Sequence, residues 1–327
     1  MTIWSVLFLV IGFAILIKGA DLLVEGSSSI AQKLQISNLV IGLTIVAFGT
    51  SAPELLISGI ASFQKSAGIA LGNIIGSNFS NTLLILGSIA LVSPVVVKQS
   101  TVNKEIPFSL LVILAVTFLI NDFLLGGHSQ SMLTRGDGLT LLLFFVIFIY
   151  YTFGLSKNKR GILDELGKNE FEEIHKRKIW KSVLMILIGA AGLFLGGKLI
   201  VDSAIDLAEI WSLSQSLVGL TIVAVGTSLP ELSASVLAAK RGKANMAVGG
   251  VVGSNIFNFL WVLGLSSVIS PIIFDSVLNI DILMLFTATI IVLFLIYFGK
   301  KNILTRKEGL ILVTLYVFYI FYLALRG

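Results

Sequence analysis

Residues 49–58 read GTSAPELLIS, and they stand inside a long apolar run. Pro53 and Glu54 are two residue types that damage an apolar helix badly. Proline has no N–H, so a helix through this stretch leaves the carbonyl of Gly49 without its partner. A carboxylate at the centre of a membrane helix costs at least about 2.5 kcal/mol on insertion scales. The chain repeats the arrangement at 226–235, GTSLPELSAS, with Pro230 and Glu231.

The surroundings of both stretches are lipid-like. Of 327 residues, 56% are hydrophobic and 13% charged, and the mean hydropathy is +1.00. A soluble domain would carry about 25% charged residues. The longest polar stretch is Ser156 to Lys181, too short for a soluble domain. A span takes about 20 mostly apolar residues. Ten windows qualify: 2–24, 38–63, 68–92, 106–121, 137–155, 179–203, 214–239, 245–270, 279–298 and 308–325. Short strands of alternating polarity are absent, which argues against a β-barrel. The fold class expected is an all-α integral membrane protein with ten transmembrane helices. The first run, Ile3 to Ile17, has no basic start, and Asp21 and Glu25 follow it; it reads as a retained span rather than a signal peptide.

The two halves match at an offset of 177 residues. GLTIVAFGTSAPEL (42–55) aligns with GLTIVAVGTSLPEL (219–232), and GNIIGSNFSNTLLILG (72–87) with GGVVGSNIFNFLWVLG (249–264). GADLLVEGS (19–27) aligns loosely with GGKLIVDSA (196–204). The expected organisation is a first five-span repeat at 1–155, a cytoplasmic linker at 156–178 and a second repeat at 179–327. Five is odd, so the second repeat enters the membrane from the opposite face. That is the inverted-repeat plan of many secondary transporters. Of the 23 Lys and Arg, only Lys65, Arg135, Lys198 and Arg326 fall on the even-numbered side. The positive-inside rule puts the other side in the cytoplasm and both termini outside. The net charge of +5 thus reports orientation, not nucleic acid.

Inverted repeats bring both motifs to one midplane point. Broken backbone at membrane depth is tolerated where protein or a water-filled cavity satisfies it, so the freed carbonyls become oxygen ligands. Thr50 and Glu54 are four apart and share a helix face, as do Thr227 and Glu231. Ser51, Ser58, Ser228, Ser233 and Ser235 add hydroxyls. In the second motif Ser77 and Asn81 share a face, as do Ser254 and Asn258. Gly72 and Gly76, like Gly249 and Gly253, are expected to let a neighbouring backbone approach closely. There is no cysteine, so thiolate sites and disulfides are excluded; His128 and His175 fall in polar loops. Asp21, Glu25, Lys198 and Asp202 are expected near span ends, snorkelling or paired at the rim. An all-oxygen set with two carboxylates suits a hard cation, calcium or sodium, and not zinc, copper or iron. Two carboxylates balance one divalent or two monovalent ions. An empty site leaves two buried like charges uncompensated, which favours exchange.

The paired GTSxPEL and GSNxxN repeats resemble the cation/calcium exchanger superfamily, within it the prokaryotic sodium/calcium exchangers, across essentially the whole chain. The resemblance implies an antiporter of a prokaryotic plasma membrane that uses inward sodium flow to expel calcium, typically three sodium per calcium. It implies transported ions and a lipid bilayer as partners, no cofactor, no enzymatic activity and no evident protein partner. By motif, Glu54 and Glu231 are the central carboxylates, and Thr50 and Thr227 lend carbonyls to calcium. Ser51, Ser77, Ser228 and Ser254, with the carbonyls of Ala47 and Ala224, flank them as sodium ligands. Asn81 and Asn258 sit beside the centre. Spans 1 and 6 form the sliding gate. Two positions depart from the pattern: Gly250 replaces the asparagine kept at Asn73, and Asn258 stands where potassium-dependent relatives carry aspartate. Without that third carboxylate no potassium requirement is expected.

Other readings are a proton- or potassium-coupled divalent exchanger, an intramembrane hydrolase and a channel. The hydroxyls around both glutamates argue for sodium. The Tyr-Asp and Gly-x-Gly-Asp motifs of intramembrane aspartyl proteases do not occur.

Overall fold

The break at GTSAPELLIS is a break between two helices. A computed structural model describes residues 2–34, 36–65, 67–121, 131–156, 178–210, 224–299 and 302–326. Helices dominate. In chain order they are α1 (Thr2–Lys33), α2 (Asn38–Thr50), α3 (Ala52–Phe63), α4 (Ala67–Val92), α5 (Thr101–Ile120), α6 (Arg135–Ser156) and α7 (Ile179–Ile210). Then come α8 (Ala224–Thr227), α9 (Leu229–Lys240), α10 (Ala244–Ile269), α11 (Leu278–Phe298) and α12 (Arg306–Arg326). Among the described residues eight helices are long and apolar enough to cross a membrane, and α2 with α3 form a ninth, bent by 48°. The expected span 214–239 lies partly outside the described residues; α8 and α9 are its described part. His128, His175 and most of the expected linker also lie outside them.

Ser51, between α2 and α3, has φ −82° and ψ 6°. Pro53 stands in the first turn of α3, where a missing N–H costs the helix nothing. Proline thus starts a new helix here rather than kinking the interior of an old one. Ser228 repeats this geometry, with φ −89° and ψ 2°, and Pro230 stands in the first turn of α9.

Two helices form the centre. The most apolar stretch of α10 is 94% buried and that of α4 78%, against 22–39% for the other candidate spans. Each contains a wide π-helical segment, Ser80–Ile85 in α4 and Asn258–Leu263 in α10; two more, Gly42–Val46 and Thr101–Glu105, lie in α2 and α5. Such turns are rare and recur at functional sites.

α1 and α7 are packed backbone to backbone. A Cβ on Gly19 would stand 2.7 Å from Leu193 N, and one on Gly196 2.6 Å from Leu16 N. Only glycine permits that approach. The Ser182 hydroxyl adds a hydrogen bond to Ser29 Oγ at 2.7 Å. α1 runs well past the expected residue 24, so Asp21 and Glu25 lie in its interior and not at its end. The backbone of such a helix satisfies itself and can continue beyond hydrocarbon. Asp21 is paired with Arg241, just after α9. Lys198 and Asp202 form an exposed pair at 2.6 Å, at the same depth in α7 as Asp21 and Glu25 in α1.

Two short antiparallel ladders clip loops together. Val95–Val96 (β1) pairs with Ile303–Leu304 (β4), and Met132–Leu133 (β2) with Ile272–Ile273 (β3). β1 precedes α5 and β2 follows it. A 20-residue helix is about 30 Å long, so the ladders mark opposite ends of the bundle.

Candidate ion-binding site

The ends of α2 and α8, the starts of α3 and α9, and the middles of α4 and α10 supply the site. Glu54 is 0% and Glu231 2% exposed, each in the first turn of its helix. Carboxylates are favourable there because helix N-terminal N–H groups face them. Ser77 donates to Glu54 Oε1 at 3.1 Å, and Ser51 donates to Glu231 Oε1 at 3.4 Å. The second of these bonds joins α2's end to α9, across 180 positions of sequence. Thr50 Oγ1 lies 3.4 Å from Ser254 Oγ and also reaches the carbonyls of Val46 at 3.0 Å and Ala47 at 3.3 Å. The Ala47 carbonyl also accepts from Ser51 N at 2.9 Å.

Thr50 and Glu54 do not lie on one continuous helix face, as their spacing predicts, because the chain breaks between them at Ser51. Thr50 turns toward Ser254 while Glu54 turns toward Ser77. Ser228 is buried and its hydroxyl has no hydrogen-bond partner among the described residues. Asn81 and Asn258 are both fully buried. Asn258 donates to Asn78 Oδ1 at 3.1 Å, and neither end of the Asn81 amide has a partner among the described residues. Thr227 is half-buried at the end of α8. Ala224 opens α8, with its side chain outside the described residues.

Glu54 Oε2 and Glu231 Oε2 are buried without partners among the described residues, as are Asn258 Oδ1 and Asn81 Oδ1. An unpaired buried acceptor is costly, most of all a charged one. Four such oxygens beside hydroxyls and helix-break carbonyls fit a cation with oxygen preference.

Three asparagines were not singled out by their spacing as part of this centre. Asn73 donates to Ser58 Oγ at 3.0 Å and to the Glu54 carbonyl at 3.4 Å. Asn255 donates to Thr82 Oγ1 at 2.9 Å, and with the Asn258–Asn78 bond it stitches α10 to α4. The middle asparagine of each GSNxxN motif is the signal that could have found Asn78 and Asn255. Gly250 stands where Asn73 has its counterpart. A Cβ there would lie 3.4 Å from Val46 and 3.9 Å from Ser235, so Ser235 lacks the asparagine that Ser58 has.

The glycines also divide. Gly249 and Gly253 meet the α2 backbone, with added Cβ atoms 2.7 Å from Leu39 O and 2.8 Å from Leu43 Cα. A Cβ on Gly72 or Gly76 would meet nothing within 4 Å among the described residues; the segment that the 177-residue offset places opposite them lies outside the described residues.

Comparisons with known proteins cover nearly the whole chain. Residues 4–154 and 181–325 match the family described as sodium/calcium exchanger protein. The chain is 37% identical over 317 residues to the putative antiporter CaxA of Alkalimonas amylolytica, covering 96% of this chain and 97% of that one. It is 32% identical over 346 residues to sodium/calcium exchanger MaX1 of Methanosarcina acetivorans, again covering 96% and 97%. It superposes on the sodium-calcium exchanger NCX_Mj with a TM-score of 0.81 and 31% identity, over 98% of this chain and 99% of that one. These relatives are multi-pass ion exchangers and antiporters, not enzymes. The chain belongs to the sodium/calcium exchanger protein family.

Proposed function

We propose that this chain exchanges sodium for calcium at one midplane site by alternating access, with three sodium entering per calcium expelled. The reading takes ten transmembrane helices in two inverted five-helix repeats, 1–155 and 179–327, joined by the linker 156–178. Both termini lie outside, in a prokaryotic plasma membrane. The ladder positions support this parity, since β1 and β4 lie in loops on the Lys- and Arg-rich side and β2 and β3 in loops on the other.

One observation carries the proposal. Two buried carboxylates each hold one oxygen on a serine and leave the other without a partner among the described residues. Glu54 and Glu231 bind calcium through those oxygens, with the carbonyls of Thr50 and Thr227. Ser51, Ser77, Ser228 and Ser254, with the Ala47 and Ala224 carbonyls, take sodium, and Asn81 and Asn258 line the centre. Departure of one ion species without arrival of the other leaves two buried charges uncompensated, so access switches from one face to the other only when the site is loaded. α1 and α7 move as one sliding unit, supported by their glycine contact. Asn258 in place of aspartate makes transport independent of potassium.

Replacing Glu54 or Glu231 with glutamine tests the assignment. Sodium-driven calcium uptake into inside-out vesicles is expected to vanish in each variant. Full uptake in both would remove these residues from the site.

A further inference from the structure

Asp21 of α1 pairs with Arg241, just after α9, and the two side chains are 25% and 33% exposed. Gly19 faces the α7 backbone. Asp21, two residues on, stands about 200° around the helix from it, so the pair forms on the side of α1 away from α7. Arg241 caps the C-terminus of α9, with its N–H on the Leu237 carbonyl at 3.0 Å. Gly242, at φ 72°, turns the chain straight into α10, a conformation that glycine takes without strain. Arg241 is therefore anchored on the tight turn between the two helices that carry Glu231 and Asn258.

Among the described residues no other ion pair joins α1 or α7 to the rest of the bundle. Lys18 also reaches Asp21, at 3.7 Å, but it belongs to α1 and moves with it. The Ser28 hydroxyl meets Met246 Sδ at 3.9 Å, a weak contact. The residues at the 177-residue offset are Lys198 and Gln64. Those two cannot form an ion pair, and Lys198 pairs within α7 with Asp202. The repeat thus does not copy the contact. α10 runs from the Arg241 turn toward β3, so the pair stands at the opposite end of the bundle from β3.

We propose that Asp21–Arg241 is an ionic latch. It holds the α1–α7 unit docked on α9 at one face, and the unit releases it in order to slide. A contact made at one face and not copied at the other weights the two conformations of the cycle unequally. The proposal rests on the sliding unit of the antiporter reading, but its test does not need transport.

The chain has no cysteine, so two introduced thiols carry spin labels without background. Leu34→Cys, exposed just after α1, and Lys104→Cys, exposed on α5, report the position of α1 against the bundle. Pulsed electron–electron double resonance in nanodiscs, without sodium or calcium, is expected to show a major docked distance and a minor second one. Arg241→Gln should raise the minor-to-major ratio about fivefold. If Arg241→Gln misfolds, Asp21→Asn carries the same test. The charge swap Asp21→Arg/Arg241→Asp should return the ratio to within about twofold of the parent. If the swap misfolds, Arg241→Lys, which keeps the charge, carries the rescue. Choline chloride at about 1 M, where the screening length is about 3 Å, should raise the ratio in the parent and leave Arg241→Gln unchanged. A ratio unmoved by loss of the charge, or moved and then not restored, overturns the latch. So does an equal response of parent and Arg241→Gln to salt. Shifts as expected in protein that shows no sodium–calcium exchange would instead overturn the antiporter reading alone.

Discussion

Asn73 is the side chain that ties α3 to α4 beside Glu54. Asn73→Ala removes bonds to Ser58 Oγ and the Glu54 carbonyl, and two such bonds are worth about 1–3 kcal/mol together. The expected result is a lower melting temperature in detergent and weaker calcium binding, since the backbone that presents Glu54 loosens. An unchanged melting temperature would show that the amide carries no load. The carboxylates and serines were legible in the sequence because an ionisable residue in an apolar run demands a function. Their partners were not. Spacing put Thr50 with Glu54, whereas the break at Ser51 sends Thr50 toward Ser254 and Ser51 toward Glu231. Those contacts join residues 204 and 180 positions apart, and no local pattern encodes them.

At the scale of elements, glycines sort by what stands opposite. Gly19 of α1 faces the α7 backbone, which cannot rotate aside. Gly19→Ala is expected to destabilise by about 1–3 kcal/mol and to slow exchange by displacing the pair. Gly59 of α3 meets nothing within 4 Å among the described residues, so Gly59→Ala should be neutral or stabilise by up to about 1 kcal/mol through helix propensity. Thermal unfolding in the same detergent compares the two; equal effects would refute the packing account. The GxxxG pairs of α4 and α10 look alike as sequence. The α10 pair grips the α2 backbone, a neighbour that the stripe itself does not name. Helix ends extended beyond the apolar windows for a related reason. Hydropathy marks where lipid stops, while the backbone ladder of α1 continues to Lys33.

Over the whole molecule, the helical bundle was legible from the apolar windows, nine of which coincide with the eight long helices and the bent pair of the described residues. The Asp21–Arg241 pair was not, because it joins two distant stretches with no shared motif. Bound ions should stabilise the complete bundle. Calcium at about 100 times its dissociation constant adds about 2.7 kcal/mol. The melting temperature is therefore expected to rise with calcium in the parent protein and to stay flat in the Glu54→Gln/Glu231→Gln double variant. A rise in the double variant would place binding elsewhere. The most direct measurement is calcium flux in proteoliposomes with sodium, potassium and proton gradients imposed one at a time. The sodium gradient alone should drive calcium uphill, moving one net charge per cycle at three sodium per calcium. Calcium driven uphill by a proton gradient without sodium, or only with potassium present, would contradict the account.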